Sequence, residues 1–385
     1  MSVSRRSFVK KVGIGSAAAA VMAYDGPRSI ARAWSLSLPQ EGRPLLLHYN
    51  ENPLGPGAKA LDAMEIGITA GNHPTARYGL SRTALVDAIT ATQGVPQANL
   101  IIGNGSTQIL RTATHVFTSP SKHLVTGAPS YGECSGYAEL IGTPVEFVPV
   151  GASMQLDLDA MADAAKGAGL VFLDNPNNPT ATLHDADAIG AFVDRVMTET
   201  EAVILIDEAY HDYVTDPAYR SEAKRAVGNK RILVARTFSK AHGMAGMRIG
   251  YGVGHTDTLA AMNQWQYNGA LNVAAIAGAA ASLLDTEHTA AEQARNTEVR
   301  RFTVDWFKSR GIRATDTQTN FVFVNLGVPA AEFRGDCAEH GVKVGRDFRP
   351  FHDVWSRISL GTMEEMHRAT EVFGQVLGLK KVAAA

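Results

Sequence analysis

The sequence has few of the features that mark metal-binding, disulfide-rich or nucleic-acid-binding proteins. Its 385 residues include only two cysteines, Cys134 and Cys337, which lie too far apart to suggest a metal motif or a disulfide framework. Its 12 histidines include no H-x-x-x-H or H-E-x-x-H pair, so no metal site is expected. A formal net charge of −2 without a basic block argues against nucleic-acid binding.

The composition is that of an ordinary globular protein, with 45% hydrophobic and 19% charged residues. The length favours two domains and is sufficient to bury a large core around an enclosed site. No internal repeat or low-complexity segment suggests a solenoid or a disordered chain.

The first 33 residues have the order of regions found in an export signal. A basic start that contains Arg5-Arg6-Ser7-Phe8 precedes an apolar run over 12–24 and the small-residue sequence Ala31-Arg32-Ala33. The paired arginines followed by phenylalanine resemble a twin-arginine signal, which implies recognition by the twin-arginine export machinery. A membrane anchor or a disordered basic arm is the alternative, but the apolar run is short and is broken by glycine. We expect cleavage near Ala33, a periplasmic or extracellular location and no stable membrane association afterwards.

The body of the chain alternates short apolar strands with helical segments such as 185–198. This alternation predicts an α/β fold with a mostly parallel sheet covered on both faces. Functional residues in such sheets gather beyond the carboxyl ends of the strands. The strand candidates are 99–102, 123–126, 145–148, 170–173, 202–206, 232–235 and 248–253.

The last hundred residues have a different pattern. An Ala-rich stretch over 259–284 and a charged helical stretch over 287–309 precede strands near 320–325 and 357–360 and a helix over 363–377. We therefore predict a signal peptide (1–33), an N-terminal arm (34–58), a large domain (59–285) and a smaller α+β domain (286–385).

A lysine follows one predicted strand in Thr237-Phe238-Ser239-Lys240, and Arg248 lies eight residues further on. A lysine at such a strand end can be lowered in pKa and become nucleophilic toward an aldehyde. The hydroxyls of Thr237 and Ser239, with the Arg248 guanidinium, would suit a phosphate group. The alternative is a solvated lysine and a surface arginine.

The strand before it ends in an acid, Asp207, and Tyr210 follows three residues later. A carboxylate there could keep a pyridine nitrogen protonated and make the ring an electron sink, and Tyr210 could donate to a phenolate oxygen. The alternative is an aspartate that caps a helix.

Three further segments place polar groups near strand ends. Asn178 lies in a proline-bounded turn after a strand, where its amide could reach the same phenolate oxygen, although a simple turn explains the segment equally. Gly105-Ser106-Thr107 opens a helix and could bind an anion through backbone N–H groups. Arg357 could bind a carboxylate with its planar fork or form a surface ion pair.

As a set, these residues resemble the fold type I aminotransferases of class I and II, and the nearest branch resembles histidinol-phosphate aminotransferase. The resemblance covers nearly all of residues 45–380 and implies pyridoxal phosphate (PLP) as cofactor, a seven-stranded sheet in the large domain, and a homodimer. The segments that carry it are Asn50-Glu51-Asn52-Pro53, Arg77-Tyr78, Pro129-Ser130-Tyr131, Asn177-Asn178-Pro179-Thr180, Ser239-Lys240 and Arg357.

The resemblance also implies a role for each residue. Lys240, Asp207 and Tyr210 would be catalytic, with Lys240 joined to the cofactor as an imine. The cofactor would also contact Gly105, Ser106, Thr107, Tyr131, Asn178, Thr237, Ser239, Arg248 and, from the partner subunit, Tyr78. The substrate would contact Arg357, Asn178 and Asn52.

Two positions depart from the family pattern. Ala181 stands where glycine is usual after Asn-Pro-Thr, and because alanine disfavours positive φ, a slightly different loop is expected there. Gly79 replaces a common proline in a segment that borders the pocket for the substrate side chain.

The resulting hypothesis is an aminotransferase that moves an amino group from an L-amino acid, or a histidinol-phosphate-like amine, to a 2-oxo acid by a ping-pong mechanism. A PLP-dependent lyase, decarboxylase or racemase on the same scaffold is one alternative, although Arg357 favours transamination because it would fix the carboxylate. A non-catalytic PLP-binding protein is the second alternative.

Overall fold

The computed structural model describes residues 44–70, 80–266, 271–351 and 353–379. The predicted signal peptide and Tyr78 lie outside these residues. The chain divides into two units, Met1–Leu45 and Leu46–Ala385, and the second contains the site discussed below. No helix among the described residues is long and apolar enough to cross a membrane.

Twelve strands occur in the described part of the chain. They are β1 (Leu45–Leu47), β2 (Leu100–Gly103), β3 (Leu124–Ala128), β4 (Val145–Pro149), β5 (Leu170–Asp174), β6 (Val203–Asp207), β7 (Ile232–Thr237), β8 (Gly250–Gly254), β9 (Arg313–Ala314), β10 (Phe321–Asn325), β11 (Val342–Val344) and β12 (Trp355–Ser359).

The α-helices of the same residues are numbered in chain order. They are α1 (Ala58–Ala70), α2 (Leu80–Gln93), α3 (Gly105–Phe117), α4 (Glu133–Leu140), α5 (Leu158–Ala164), α6 (Ala186–Glu199), α7 (Ala223–Gly228), α8 (Thr256–Asn263), α9 (Val273–Leu284), α10 (Thr286–Lys308), α11 (Ala330–Glu339) and α12 (Met363–Val376).

The main sheet has seven strands in the order β2-β8-β7-β6-β5-β3-β4. Strand β8 is antiparallel to both of its neighbours, and the other pairs are parallel. All seven strands predicted from the sequence are present in it, which confirms the mostly parallel seven-stranded sheet.

The central strands have the sequence pattern that allowed the sheet to be predicted. Strands β5 and β6 are buried at every residue and read LVFLD and VILID, the near-continuous apolar run expected of parallel strands covered on both faces. Each ends in an aspartate, and the register places Asp174 beside Asp207. Two carboxylates therefore meet at the carboxyl edge of the sheet.

The helices begin at the residues that local chemistry favours. Asp185 caps α6 by accepting a hydrogen bond from the Ala188 backbone N–H at 2.8 Å. Thr362 and Glu365 form a reciprocal capping box at the start of α12.

The structure gives sharper bounds for two segments named from the sequence. Strand β8 begins at Gly250 rather than Arg248, because residues 245–247 form a 3-10 turn and Arg248 has a left-handed backbone with φ 54°. The Ala-rich stretch over 259–284 is not one helix. Helix α8 ends at Asn263, and α9 starts anew at Val273, where the Asn272 side chain accepts from the Ala274 and Ala275 backbone N–H groups.

The C-terminal part forms a second, three-stranded antiparallel sheet in the order β12-β10-β9. Its central strand β10 pairs with β12, and Arg357 lies opposite Phe323. Helix α10 begins at Thr286, beside the predicted domain boundary at residue 285, and the division into four segments stays a prediction.

Candidate active site

A cavity of about 440 Å³ lies at the carboxyl ends of β5, β6 and β7. Among the predicted site residues, those that line it are Ser106, Thr107, Tyr131, Asn178, Asp207, Tyr210, Thr237, Ser239, Lys240, Arg248 and Arg357. The structure thus brings together side chains that are up to 251 positions apart in sequence.

Three predicted site residues are placed differently. Gly105 opens α3 behind the lining, and Tyr78 is outside the described residues. Asn52 does not line the cavity, because its Nδ2 donates to the Ala241 carbonyl at 2.9 Å and its Oδ1 accepts from the Leu54 N–H at 2.9 Å. It fixes the backbone next to Lys240 rather than facing a substrate.

Lys240 provides an amine that forms no ion pair with a carboxylate of the described residues. Its Nζ donates to the backbone carbonyls of Tyr49 at 3.2 Å and Asn50 at 3.1 Å. Burial, followed by the charge of Arg357, lowers the pKa of Lys240 to about 8. A substantial neutral fraction near neutral pH makes this amine able to attack a carbonyl carbon and to accept a proton.

Asp207 ends β6 as a buried carboxylate, only 2% exposed. Its Oδ1 accepts one hydrogen bond, from the Ala209 N–H at 3.0 Å. Burial and the neighbouring Asp174 raise the pKa of Asp207 to about 8. A carboxyl group in this state can hand a proton to a basic ring nitrogen and then be stabilised by the cation it has made.

An anion cradle lies at the start of α3, where backbone N–H groups have no acceptor within the helix. It is narrow: a Cβ added at Gly105 would lie 2.5 Å from Arg248 Nη2, and one at Gly250 would lie 2.5 Å from Ser106 N. Arg248 Nη1 is 3.4 Å from Ser239 Oγ, which in turn accepts from Thr237 Oγ1 at 2.9 Å. Hydroxyls, N–H groups and a guanidinium in this arrangement fit a phosphate.

Arg357 is a buried guanidinium held by two neutral acceptors. Its Nη1 donates to Asn178 Oδ1 at 2.7 Å and its Nη2 to the His48 carbonyl at 2.6 Å. Its Nε has no acceptor among the described residues. Burial lowers the pKa of Arg357 to about 10. With no carboxylate of the described chain within ion-pair distance, this group is suited to an anion from outside.

Two tyrosines border the space between Lys240 and Asp207. The Tyr210 hydroxyl accepts from Asn50 Nδ2 at 3.0 Å, and Lys240 Nζ is 5.6 Å from the centre of its ring. Burial raises the pKa of Tyr131 to about 12, so its phenol stays protonated and can present a flat neutral ring to a bound ligand.

A left-handed backbone occurs at two residues that line the cavity, Asn50 and Arg248, and at Ala181, which packs against the lining residue Tyr210. Asn50, Ala181 and Arg248 have φ of 55°, 64° and 54°, a region that costs a non-glycine residue roughly 1–2 kcal/mol. The expectation that Ala181 avoids positive φ is wrong. Its fully buried methyl group packs in one cluster with Tyr210 and Phe321, which offsets the strain.

Sequence reasoning missed several lining residues, including Asn50, Arg346, Phe348 and Asp174. Asn50 lies two residues before Asn52 in the segment Asn50-Glu51-Asn52-Pro53. The segment was identified from the sequence, but the wrong asparagine of the two was assigned to the site. Asp174 has the same strand-end position as Asp207, and that position was the available signal. Arg346 lies in a loop after β11 and carries no local signal.

An amine of lowered pKa opposite an anion cradle is what a phosphate-bearing aldehyde cofactor requires, and the fold around it is that of the PLP-dependent transferases of fold type I. The chain belongs to the family of class I and II aminotransferases, whose model matches residues 45–373. It is a PLP-dependent aminotransferase, an enzyme that moves an amino group between an amino compound and a 2-oxo acid.

The chain is similar to proteins named histidinol-phosphate aminotransferase. It is 32% identical to the one from Moorella thermoacetica, over 86% of this chain and 85% of that protein, and 34% identical to the one from Symbiobacterium thermophilum, over 86% and 90%. A solved structure from Erwinia carotovora atroseptica, provisionally described as this enzyme, is 30% identical with a TM-score of 0.81 over 86% and 95%. The Sinorhizobium meliloti enzyme, solved with pyridoxal-5'-phosphate, shares the fold at 23% identity, with a TM-score of 0.79 over 92% and 95%.

Proposed function

We propose that Lys240 binds the cofactor covalently and carries the proton that moves during transamination. The observation that supports this is its lowered pKa in a cavity shared with Asp207 and the anion cradle. PLP supplies an aldehyde and an electron-withdrawing ring when it is bound. Lys240 Nζ would then act as the base for the substrate α-proton and return that proton to a neighbouring carbon.

The other lining residues hold cofactor and substrate in place. Asp207 keeps a proton at the ring nitrogen, while Tyr210 and Asn178 donate to the ring oxygen. The cofactor phosphate is held at the start of α3 by Ser106 and Thr107, with Thr237, Ser239 and Arg248 around it. Tyr131 covers one ring face, and Arg357 binds the substrate carboxylate.

We propose that the substrates carry two negative charges, either on one phosphate, as in histidinol phosphate, or on two carboxylates, as in a dicarboxylic 2-oxo acid. Arg346 and Arg357 line the same cavity and both contact Phe348, with their Cζ atoms 4.9 and 4.8 Å from its ring centre. Burial and, to a smaller extent, the charge of Arg346 lower the pKa of Arg357. A ligand with two negative charges is attracted by both guanidinium groups, and the names of the relatives agree with such a ligand.

Replacing Arg346 by alanine is expected to raise the KM for histidinol phosphate and for 2-oxoglutarate by about tenfold, the effect of one lost charge-assisted hydrogen bond. The KM for a donor whose only anionic group is one carboxylate should change little. Arg349→Ala is the control, because Arg349 is exposed nearby but does not line the main cavity. Unchanged KM values for both histidinol phosphate and 2-oxoglutarate in Arg346→Ala would contradict the proposal.

We propose that the enzyme is a homodimer in which Tyr78 reaches the partner's cofactor. Leu54, Leu61 and Ile68 are large apolar side chains, each more than half exposed, in and just before α1. Exposed apolar groups concentrated in one segment are typical of a surface that another molecule covers. Tyr78 follows this segment by ten residues.

Mixing the Lys240→Ala and Tyr78→Ala variants after dissociation and reassembly tests the shared site. A mixed dimer has one cavity with both native residues, so about one quarter of the wild-type activity should return. Two variants that stay as inactive after mixing as they are separately would contradict the contribution of Tyr78 across the interface.

We propose that the enzyme is exported in folded form by the twin-arginine route. The support is the order of charged, apolar and small residues over 1–33, with Arg5 and Arg6 before Phe8. A reporter fused to residues 1–40 should be exported, and Arg5→Lys together with Arg6→Lys should retain it in the cytoplasm. Export that is insensitive to this double substitution would contradict the proposal.

A further inference from the structure

The cavity contains a second buried carboxylate, Asp174, that the proposed reaction does not use. It ends β5 directly beside Asp207 in the parallel ladder. Its side chain is 3% exposed and still lines the cavity. Asp174 therefore lies within reach of the reacting groups without an assigned task.

Both oxygens of Asp174 are occupied by donors of the protein. Oδ1 accepts from Ser130 Oγ at 2.6 Å, and Oδ2 accepts from the Asn178 backbone N–H at 2.7 Å. A carboxylate that is engaged on both oxygens is an anchor for its donors rather than a free acid or base.

The anchored segment leads directly to the substrate-binding arginine. The Asn178 side chain accepts from Arg357 Nη1 at 2.7 Å through Oδ1. This acceptance fixes the orientation of the amide, so its Nδ2 is left to donate elsewhere. The position of Asp174 thus determines the position of Asn178, and Asn178 is one of only two hydrogen-bond acceptors recorded for Arg357 in the described chain.

The negative charge of Asp174 is energetically unfavourable at this buried position. Two buried carboxylates side by side repel each other, and burial raises the pKa of Asp174 to about 6. A neutral side chain would avoid this repulsion. The carboxylate provides two hydrogen-bond acceptors on a short side chain, one for the Ser130 hydroxyl and one for the Asn178 backbone N–H.

We propose that Asp174 is a positioning residue, which acts through Asn178 on Arg357 and thereby sets where the substrate carboxylate binds. This inference rests on the proposed role of Arg357. A positioning role predicts a larger loss of substrate affinity in Asp174→Glu than in Asp174→Asn. A role of the Asp174 charge predicts the opposite order.

Asp174→Asn keeps the geometry and removes the charge. Its amide oxygen can still accept from the Asn178 N–H, and its NH₂ group can donate to Ser130 Oγ. Asp174→Glu keeps the charge but moves both oxygens by one methylene, and the adjoining cavity gives room for the longer side chain. Asp187→Glu is the control for the same exchange at an exposed position.

The measurement is the Kd of succinate, a dicarboxylate without a keto group, for each cofactor-loaded variant by titration calorimetry. We expect Asp174→Glu to raise the Kd about tenfold, and Asp174→Asn to change it by less than about threefold. Cofactor content and the melting temperature verify that each variant is folded. Should Asp174→Glu not fold, Asp174→Ser replaces it, because one short hydroxyl cannot bridge both donors.

Arg357→Ala separates failure of this inference from failure of the proposed function. If Arg357→Ala binds succinate as wild type does, the proposed role of Arg357 is wrong, and the inference falls with it. If Arg357→Ala loses binding while Asp174→Glu keeps wild-type affinity, only the inference is wrong. A loss of affinity in Asp174→Asn as large as that in Asp174→Glu would overturn the positioning role, and a larger loss in Asp174→Asn would assign the effect to charge.

Discussion

Replacing Lys240 by alanine is expected to lower the turnover number by about 10⁴-fold or more, because it removes both the amine that holds the cofactor and the base that moves the proton. The fold should be retained. Lys240 is partly buried, and among the described residues its Nζ bonds only to two backbone carbonyls, so no buried carboxylate there is left unpaired by the substitution. The measurement is a steady-state assay with saturating donor and 2-oxo acid, together with the melting temperature.

Two comparisons make this result specific. Lys343→Ala removes the exposed lysine of strand β11 and should leave the turnover number unchanged. Cofactor should still be retained by Lys240→Ala through the anion cradle, although without a covalent bond. Turnover in Lys240→Ala within tenfold of wild type would show that another group performs the proton transfer.

Replacing Asp207 by asparagine is expected to lower the turnover number by roughly 100- to 1000-fold, in the range found when one preorganised electrostatic partner is removed. In the absence of the cofactor, burial and Asp174 raise the pKa of Asp207 to about 8, so the carboxyl group holds a proton at neutral pH. It can give that proton to the cofactor ring nitrogen and remain as its counter-ion. An asparagine can accept or donate a hydrogen bond but cannot supply the negative charge.

The matched comparison for Asp207→Asn is Asp174→Asn, an identical exchange at the adjacent strand end. The Asp174 variant should retain most of the turnover, because the Asp174 oxygens bond to Ser130 and Asn178 rather than to the cofactor. The absorption spectrum of the bound cofactor should change with pH in Asp207→Asn and resemble wild type in Asp174→Asn. Equal losses of turnover in the two variants would contradict a specific role for Asp207.

The sheet and most of the site were readable from the sequence because the signals are local. Strands β5, β6 and β7 are apolar runs that end abruptly in polar residues, and parallel strands deliver those residues to one edge. The sequence pattern therefore predicted that Lys240, Asp207 and Asn178 belong to one site.

The missed residues depend on contacts between distant segments. Asn50 is held by Ser359, which is 309 positions away, and Arg357 donates to the His48 carbonyl across the same separation. No periodicity in either segment reports such a pairing. The shift from Asn52 to Asn50 as the lining residue is a consequence of this tertiary packing.

Local preference was also overruled at Ala181 and Arg248. Alanine and arginine disfavour positive φ, and a prediction from residue type alone gives both an ordinary backbone. In the folded protein, the buried methyl group of Ala181 packs with Tyr210 and Phe321, and Arg248 turns its guanidinium toward Ser239. Tertiary contacts therefore determine the backbone conformation at Ala181 and Arg248, where residue type alone predicts the wrong sign of φ.

The most direct test of the account is chemical trapping of the cofactor on the purified enzyme. Reduction with borohydride, followed by proteolysis and mass spectrometry, should find the reduced cofactor attached to the single peptide that contains Lys240. Cofactor recovered entirely free, or attached to any other lysine, would contradict the central claim.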